Sequence, residues 1–221
     1  MVIEAVAIDG PVASGKTSVG ARVAERLGYA FLDTGLMYRA ATWKAVHSGL
    51  DMNDEHSLTK MTESMTVTLS SDDMGGRLIV DEVDVTDHLR TTDIDRNVSA
   101  VSAVKGVRSA LTPHQRLIAE SGPIVMVGRD IGTVVLTDAR TKVYLDASVQ
   151  TRATRRHAEM QASGADVDFN QVVADTVRRD RIDSERVEAP LSAAVDAFIL
   201  ETDCLSLDEV VEQIVRLVER R

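Results

Sequence analysis

Two glycines, a lysine and a hydroxyl stand in a fixed spacing near the start of the chain: Gly10-Pro11-Val12-Ala13-Ser14-Gly15-Lys16-Thr17, the pattern G-x-x-x-x-G-K-T. These residue types at this spacing bind the phosphates of a nucleoside triphosphate. Gly10 and Gly15 let the backbone turn so that successive N–H groups point into one concavity. A helix opening near Lys16 adds unpaired amides and its positive dipole end, and Ser18 lies in its first turn. Lys16 brings a mobile cation to the β- and γ-phosphates, and the Thr17 hydroxyl is a ligand for Mg²⁺.

Two further polar clusters stand where predicted strands end. These are Asp33-Thr34-Gly35 and Gly128-Arg129-Asp130. Each alone reads as turn chemistry, since Asp and Gly are common in turns. Together with the phosphate loop they favour a binding crevice, because ligands of open α/β sheets bind beyond the carboxyl ends of the strands. A fourth group, Arg178 to Arg186, packs Arg178, Arg179, Arg181 and Arg186 among Asp180, Asp183 and Glu185. It reads either as a solvated helix face of mixed charge or as a mobile lid carrying arginine forks onto a transferring phosphoryl group. Arg152, Arg155 and Arg156 share one predicted helix face and belong to the same lid on the second reading.

The elements that must hold these groups follow from periodicity. Val2–Ile8 is apolar on both faces, as in a central parallel strand, and Val19, Val23 and Leu27 mark the helix after the loop, closed by Gly28. Ala30–Leu32 is a short strand, and residues 36–46 a helix. Between 66 and 97 the pattern changes: Val67, Leu69, Leu78, Val80, Val83 and Val85 alternate with polar residues, and Gly75-Gly76 signals a hairpin. This predicts a small antiparallel sheet inserted in the main domain. Helical spacing returns from Asn97 to Ala119, with a break or a new first turn expected at Pro113. Ile124–Val127 and Lys142–Asp146 are strands, 149–162 and 169–181 helices, and Ala197–Leu200 a last buried strand. Ser206 to Glu209 is a capping box before an amphipathic helix. The expected fold is an α/β P-loop architecture: a parallel central sheet in three layers, one domain over 1–221, an antiparallel insert at 66–97 and a helical lid at 150–187.

Composition narrows the partners. The chain has 221 residues, 44% hydrophobic, and a net charge of −10. That charge argues against nucleic acid or an anionic membrane surface as partner. One cysteine, Cys204, rules out an intrachain disulfide and a Cys-rich zinc site; it is expected as a small buried hydrophobe in a cytoplasmic protein. Glu4 and Asp9 interrupt the first apolar run, which argues against a signal peptide. His47, His56, His88, His114 and His157 show no metal-ligand spacing.

In this order and spacing, Ile8-Asp-Gly-Pro11 with Ser14–Thr17, Asp33-Thr-Gly-Leu-Met-Tyr-Arg39, Gly128-Arg-Asp-Ile-Gly-Thr133 and Arg179–Arg186 followed by Ala189-Pro-Leu191 resemble the bacterial cytidylate kinase family. Asp84–Arg90, Asn97–Ser99 and Val107-Arg108 extend the likeness over almost the whole chain. The resemblance implies transfer of the ATP γ-phosphoryl group to CMP or dCMP, with Mg²⁺ accompanying ATP, in a monomeric cytoplasmic enzyme. It places cytosine recognition on Thr34, Ser99, Arg108 and Asp130, the acceptor phosphate on Arg39, Arg129 and Arg186, and the ribose on Arg179 and Asp183. Arg155 and Arg156 become lid arginines, with Arg155 counted alongside Lys16, Arg39, Arg129 and Arg186 in catalysis. Asp33 is expected to meet Mg²⁺ through water. No general base is named, because a phosphate nucleophile is already ionised near neutral pH.

Overall fold

The computed structural model describes residues 3–70, 77–162 and 164–220. The chain divides into two compact units: residues 1–32 with 119–221, and residues 33–118. The first is built on a five-stranded sheet in the order β2-β6-β1-β7-β8. Its strands are β1 (Ile3–Asp9), β2 (Ala30–Asp33), β6 (Ile124–Gly128), β7 (Ala139–Asp146) and β8 (Phe198–Glu201). β1 pairs in parallel with β6 on one side and β7 on the other, so Asp9 lies level with Gly128 and Tyr144. Ala5 to Ile8 are all buried, as a strand covered on both faces requires.

Helices α1 (Lys16–Leu27) and α8 (Leu207–Glu219) cover one face. Val19 and Val23 of α1 and Val210, Val211, Ile214 and Val215 of α8 share a core with Val6, Ile8, Val125, Val127, Val143 and Leu145. Gly20 is the point of closest approach, since a Cβ there would overlap Val127 and Phe31. Arg22–Asp208 and Arg26–Glu212 ion pairs join the two helices at the surface. The expected capping box is present: the Ser206 hydroxyl accepts from the Glu209 N–H, and the Glu209 carboxylate accepts from the Ser206 N–H. Gly28 ends α1 with φ of 67°.

Helices α6 (Val149–Ala162) and α7 (Phe169–Glu185) pack against each other in the same unit. α7 outruns its expected end at Arg181 by a turn, so the arginine-rich group up to Glu185 is helix. The strand expected to be buried at 197–200 is instead an edge strand. In β8 only Leu200 is buried, while Phe198 and Ile199, successive residues on opposite faces, are exposed, so neither face is covered at the start of this edge strand. Cys204 is exposed, not buried, since it stands in the turn between β8 and α8.

The second unit contains α2 (Thr34–His47), α3 (Glu55–Glu63), an antiparallel sheet of β3 (Val67–Ser70), β4 (Arg77–Val80) and β5 (Val83–Asp84), then α4 (Thr92–Ala103) and most of α5 (Lys105–Ala119). The Gly75-Gly76 turn lies outside the described residues. A second hairpin turn, unexpected from sequence, uses Asp81 and Glu82 at φ of 46° and 69°. Asp81 is braced there: its carboxylate accepts from the Thr66 N–H and pairs with Lys44 at 2.6 Å. The helical break falls at Val104, in extended conformation, and not at Pro113, which α5 carries inside it. Buried Val107 and Leu111 hold α5 in the core, and packing overrides the missing donor. Gly106 allows α5 to approach α3, where a Cβ would overlap Thr59.

Candidate functional site

The phosphate loop begins where β1 ends. Gly10 takes φ of 153° and Gly15 φ of 91°, and Ala13 also adopts a left-handed φ of 58°. An alanine in that region stores strain, a common mark of ligand-binding loops. Lys16 is buried and turned back over the loop, its Nζ donating to the Pro11 carbonyl at 2.5 Å and to Ser14 Oγ at 3.2 Å. Thr17 and Ser18 are exposed on the first turn of α1. Pro11 and Ser14 are buried, and Val12 is half-buried.

Next to this loop, β6 delivers Gly128-Arg129-Asp130, which runs into a π-helical turn at Ile131–Val135. Asp130 is buried and meets Arg186 Nη2 at 3.8 Å. Arg186 Nε donates to the Ala189 carbonyl at 2.6 Å, and the Leu191 N–H returns to the Asp183 carbonyl at 2.8 Å, so the chain after α7 folds back on it. Arg129 Nε donates to Asp183 Oδ2 at 2.8 Å, with the Asp183 side chain only 8% exposed. Thus Arg129, Asp130, Asp183 and Arg186 form two arginine–carboxylate pairs in one unit. Arg179 lies one turn before Asp183 on α7, half-buried.

In the second unit, Thr34, Ser99 and Arg108 are all buried. Asp33 caps α2, its Oδ1 accepting from the Gly35 N–H at 2.9 Å. Tyr38, one turn beyond Thr34, carries the Arg108 guanidinium over its ring at 5.2 Å. Arg108 Nη1 donates to the Ser102 carbonyl, and Ser102 Oγ donates to the Ser99 carbonyl, which ties α5 to α4. Arg39 donates to the Leu89 carbonyl at 2.8 Å and pairs with Asp95 at 2.6 Å.

The arginines of α6 lie at i, i+3 and i+4 on one helix face but meet different partners. Arg152 points inward at 4% exposure and grips Asp180 of α7 with both terminal nitrogens at 3.0 and 2.6 Å. It also donates to the carbonyls of Ala147 and of Val12 in the phosphate loop. It therefore joins α6, α7 and the loop. Arg155 donates to Thr202, and Arg156 pairs with Glu159 near the surface. Arg178–Asp175 and Arg181–Glu185 are exposed pairs on α7, so those two arginines follow the solvated-face reading.

One residue near the loop was not read as functional from sequence. Asp9, the last residue of β1, is 3% exposed, and its two oxygens accept from the Ile131 and Gly132 N–H groups, both at 2.7 Å. Burial pushes its carboxyl up to about 6; those two N–H groups oppose the rise, Asp130 adds to it and Lys16 opposes it. The signal in the sequence was a charged residue closing an otherwise apolar central strand.

The backbone amides and Lys16 of the loop suit the phosphates of a nucleotide. Among the described residues no three His, Cys, Asp or Glu side chains cluster as a metal cage. The exposed Thr17 hydroxyl is the kind of single protein oxygen that Mg²⁺ uses when phosphates and waters supply its other ligands. No helix among the described residues is long and apolar enough to cross a membrane.

Comparison with known proteins identifies the family. A family model described as cytidylate kinase matches residues 6–220. A curated cytidylate kinase of Geobacillus kaustophilus is 44% identical over 98% of this chain and 96% of its own length. That of Shouchella clausii is 44% identical over 97% and 95%. A crystal structure of an uncharacterized protein from Eubacterium ventriosum shares the fold, with a TM-score of 0.55 at 15% identity, covering 98% of both chains. The chain belongs to the cytidylate kinase family.

Proposed function

We propose that the protein transfers the γ-phosphoryl group of ATP to CMP or dCMP, giving CDP or dCDP and ADP. The observation that carries this reading is the match to cytidylate kinases over nearly the full length of the chain and of its relatives. An oxygen of the CMP phosphate attacks the γ-phosphorus as the bond to the β-phosphate oxygen breaks, and that electron pair leaves on ADP. The attacking oxygen is already ionised near pH 7, so catalysis rests on positioning and charge stabilisation and needs no base.

In this proposal the loop amides of residues 10–18 and Lys16 hold the ATP phosphates, and Thr17 holds Mg²⁺, with Asp33 as a partner of its water. Held there with the nucleotide, the ion would supply neutralisation of the charge on the phosphates. Arg39, Arg129 and Arg186 receive the acceptor phosphate, and Arg155 and Arg156 act from the lid at 150–187. Arg179 and Asp183 hold the ribose. Thr34, Ser99, Arg108 and Asp130 hold cytosine. A carboxylate accepts from the cytosine N4 amine, whereas uracil would set a carbonyl oxygen against Asp130. Such desolvated mispairing separates substrates by several powers of ten. The enzyme is expected to work as a cytoplasmic monomer, a setting that its single cysteine suits.

The test is ADP release with Mg-ATP against a panel of monophosphates. CMP and dCMP are expected to stimulate release far above UMP and AMP. Equal stimulation by all four would refute the cytosine assignment.

A further inference from the structure

Asp9 occupies a place that none of the roles above requires. It is the residue before Gly10, so its backbone fixes where the phosphate loop starts. Its side chain faces a different segment, 122 positions on. β1 and β6 end side by side, with Asp9 level with Gly128. Beyond Gly128 only Arg129 and Asp130 intervene before the amides of Ile131 and Gly132, and both amides donate to Asp9. The pair Arg129-Asp130 is thus pinned on both sides. Strand pairing holds it from behind, and the Asp9 carboxylate holds it from ahead. The π-helical turn at 131–135 has no side-chain cap from its own Asp130. Asp9 supplies that cap from across the sheet, satisfying two leading amides that would otherwise be buried without partners.

We infer that Asp9 is a positioning residue for acceptor recognition, which locks Arg129 and Asp130 to the origin of the phosphate loop through its bonds to Ile131 and Gly132. This rests on the cytidylate kinase reading of Asp130. Asp9 has both oxygens committed to backbone amides and acts on substrate only through the turn. Two properties suit it to the task. A carboxylate accepts at both oxygens simultaneously, which an amide or hydroxyl does not. Bonds to an ionised acceptor are also shorter and stronger than neutral ones. The space is closely fitted: a Cβ on Gly132 would stand 3.3 Å from Asp9 Oδ2 and 3.2 Å from Lys142 Cδ.

The experiment compares wild type, Asp9→Asn and Gly132→Ala in steady-state kinetics with CMP and UMP at saturating Mg-ATP, together with thermal unfolding. Asp9→Asn sets an amide N–H₂ against one backbone donor. Gly132→Ala crowds the carboxylate while leaving its charge, and serves if Asp9→Asn does not fold. Misplacing Asp130 by a fraction of an ångström should lower kcat/KM for CMP by on the order of tenfold to a hundredfold. The loss with UMP should be smaller, so the preference for CMP falls, and KM for ATP should move less than KM for CMP. Gly132→Ala should give the same pattern in weaker form. Variants that lose activity with CMP and UMP in equal proportion, or lose only thermal stability, overturn the inference while leaving the kinase reading intact. A wild type that treats CMP and UMP alike overturns the kinase reading and this inference with it.

Discussion

Replacing Gly10 by alanine tests how far the phosphate loop depends on the strand beside it. Gly10 sits at φ of 153°, and an added Cβ would overlap the Leu145 carbonyl oxygen of β7, 3.2 Å from its carbon and 3.0 Å from Ser14 Oγ. The obstacle is backbone in the middle of a sheet, so the loop must move and the strand will not. The conformational strain is on the order of 1–3 kcal/mol, and the overpacking adds a similar ~1–3 kcal/mol. Relief needs a displacement of roughly 1 Å, which at a reacting centre costs about a hundredfold in rate. Gly28→Ala is the matched control. It also has positive φ, 67°, but no atom lies within 4 Å of the new Cβ, so it should cost about 1 kcal/mol of stability and no activity. Calorimetric titration with ADP, thermal unfolding and kcat/KM for CMP would be measured on both. Unchanged ADP affinity and turnover in Gly10→Ala would refute the claim that the strand holds and the loop must shift.

Three further outcomes are expected. Asp130→Ala should reduce kcat/KM for CMP by about a hundredfold or more while leaving ATP affinity nearly intact; equal loss of both in kinetic assays would show a purely structural role. The Asp9 carboxyl rises from 3.8 to about 6 on folding, so the native state binds more protons across that window and this group's contribution to stability falls as pH rises through it. At ~1.4 kcal/mol per pH unit, wild type should lose about 2 kcal/mol relative to Asp9→Asn between pH 4 and 7 in urea titrations, and a flat or opposite trend would contradict the burial argument. Ser206→Ala removes the capping box of α8 and should cost about 1 kcal/mol, or roughly 2–4 °C in Tm, without altering kinetics.

The parts of the fold legible from sequence were those with a local signature. The apolar run of β1, the glycine spacing of the loop, the helical stripe of α8 and its capping box each declare themselves within about a dozen residues. What escaped depends on distant partners. Asp9 looks like the end of a strand until Ile131 and Gly132 are folded against it. Arg152 looks like one of three arginines on a charged helix, and only the position of Asp180 and the Val12 carbonyl turns it inward. Pro113 would break an isolated helix, but α5 is held by its buried face. The exposure of β8 depends on its being last in the sheet order, which an apolar tetrapeptide does not encode. The candidate site follows the same rule: its residues stand in short motifs, whereas the arginine–carboxylate pairs among them, Arg129–Asp183 and Arg39–Asp95, join positions more than fifty apart.

The central place of β1 also sets a timetable. Ala5 pairs with Ile124, and the partner on the other flank, β7, is made later still. At about 5–20 residues per second on the ribosome, β1 waits roughly 6 to 24 s for its first neighbour. During that interval a strand apolar on both faces has no sheet to join, although residues 33–118, a continuous stretch of chain, are already complete. The charges at its two ends, Glu4 and Asp9, stand where gatekeepers against premature association are needed. The carboxylate that later clamps the turn after β6 thus guards the nascent strand before that turn exists.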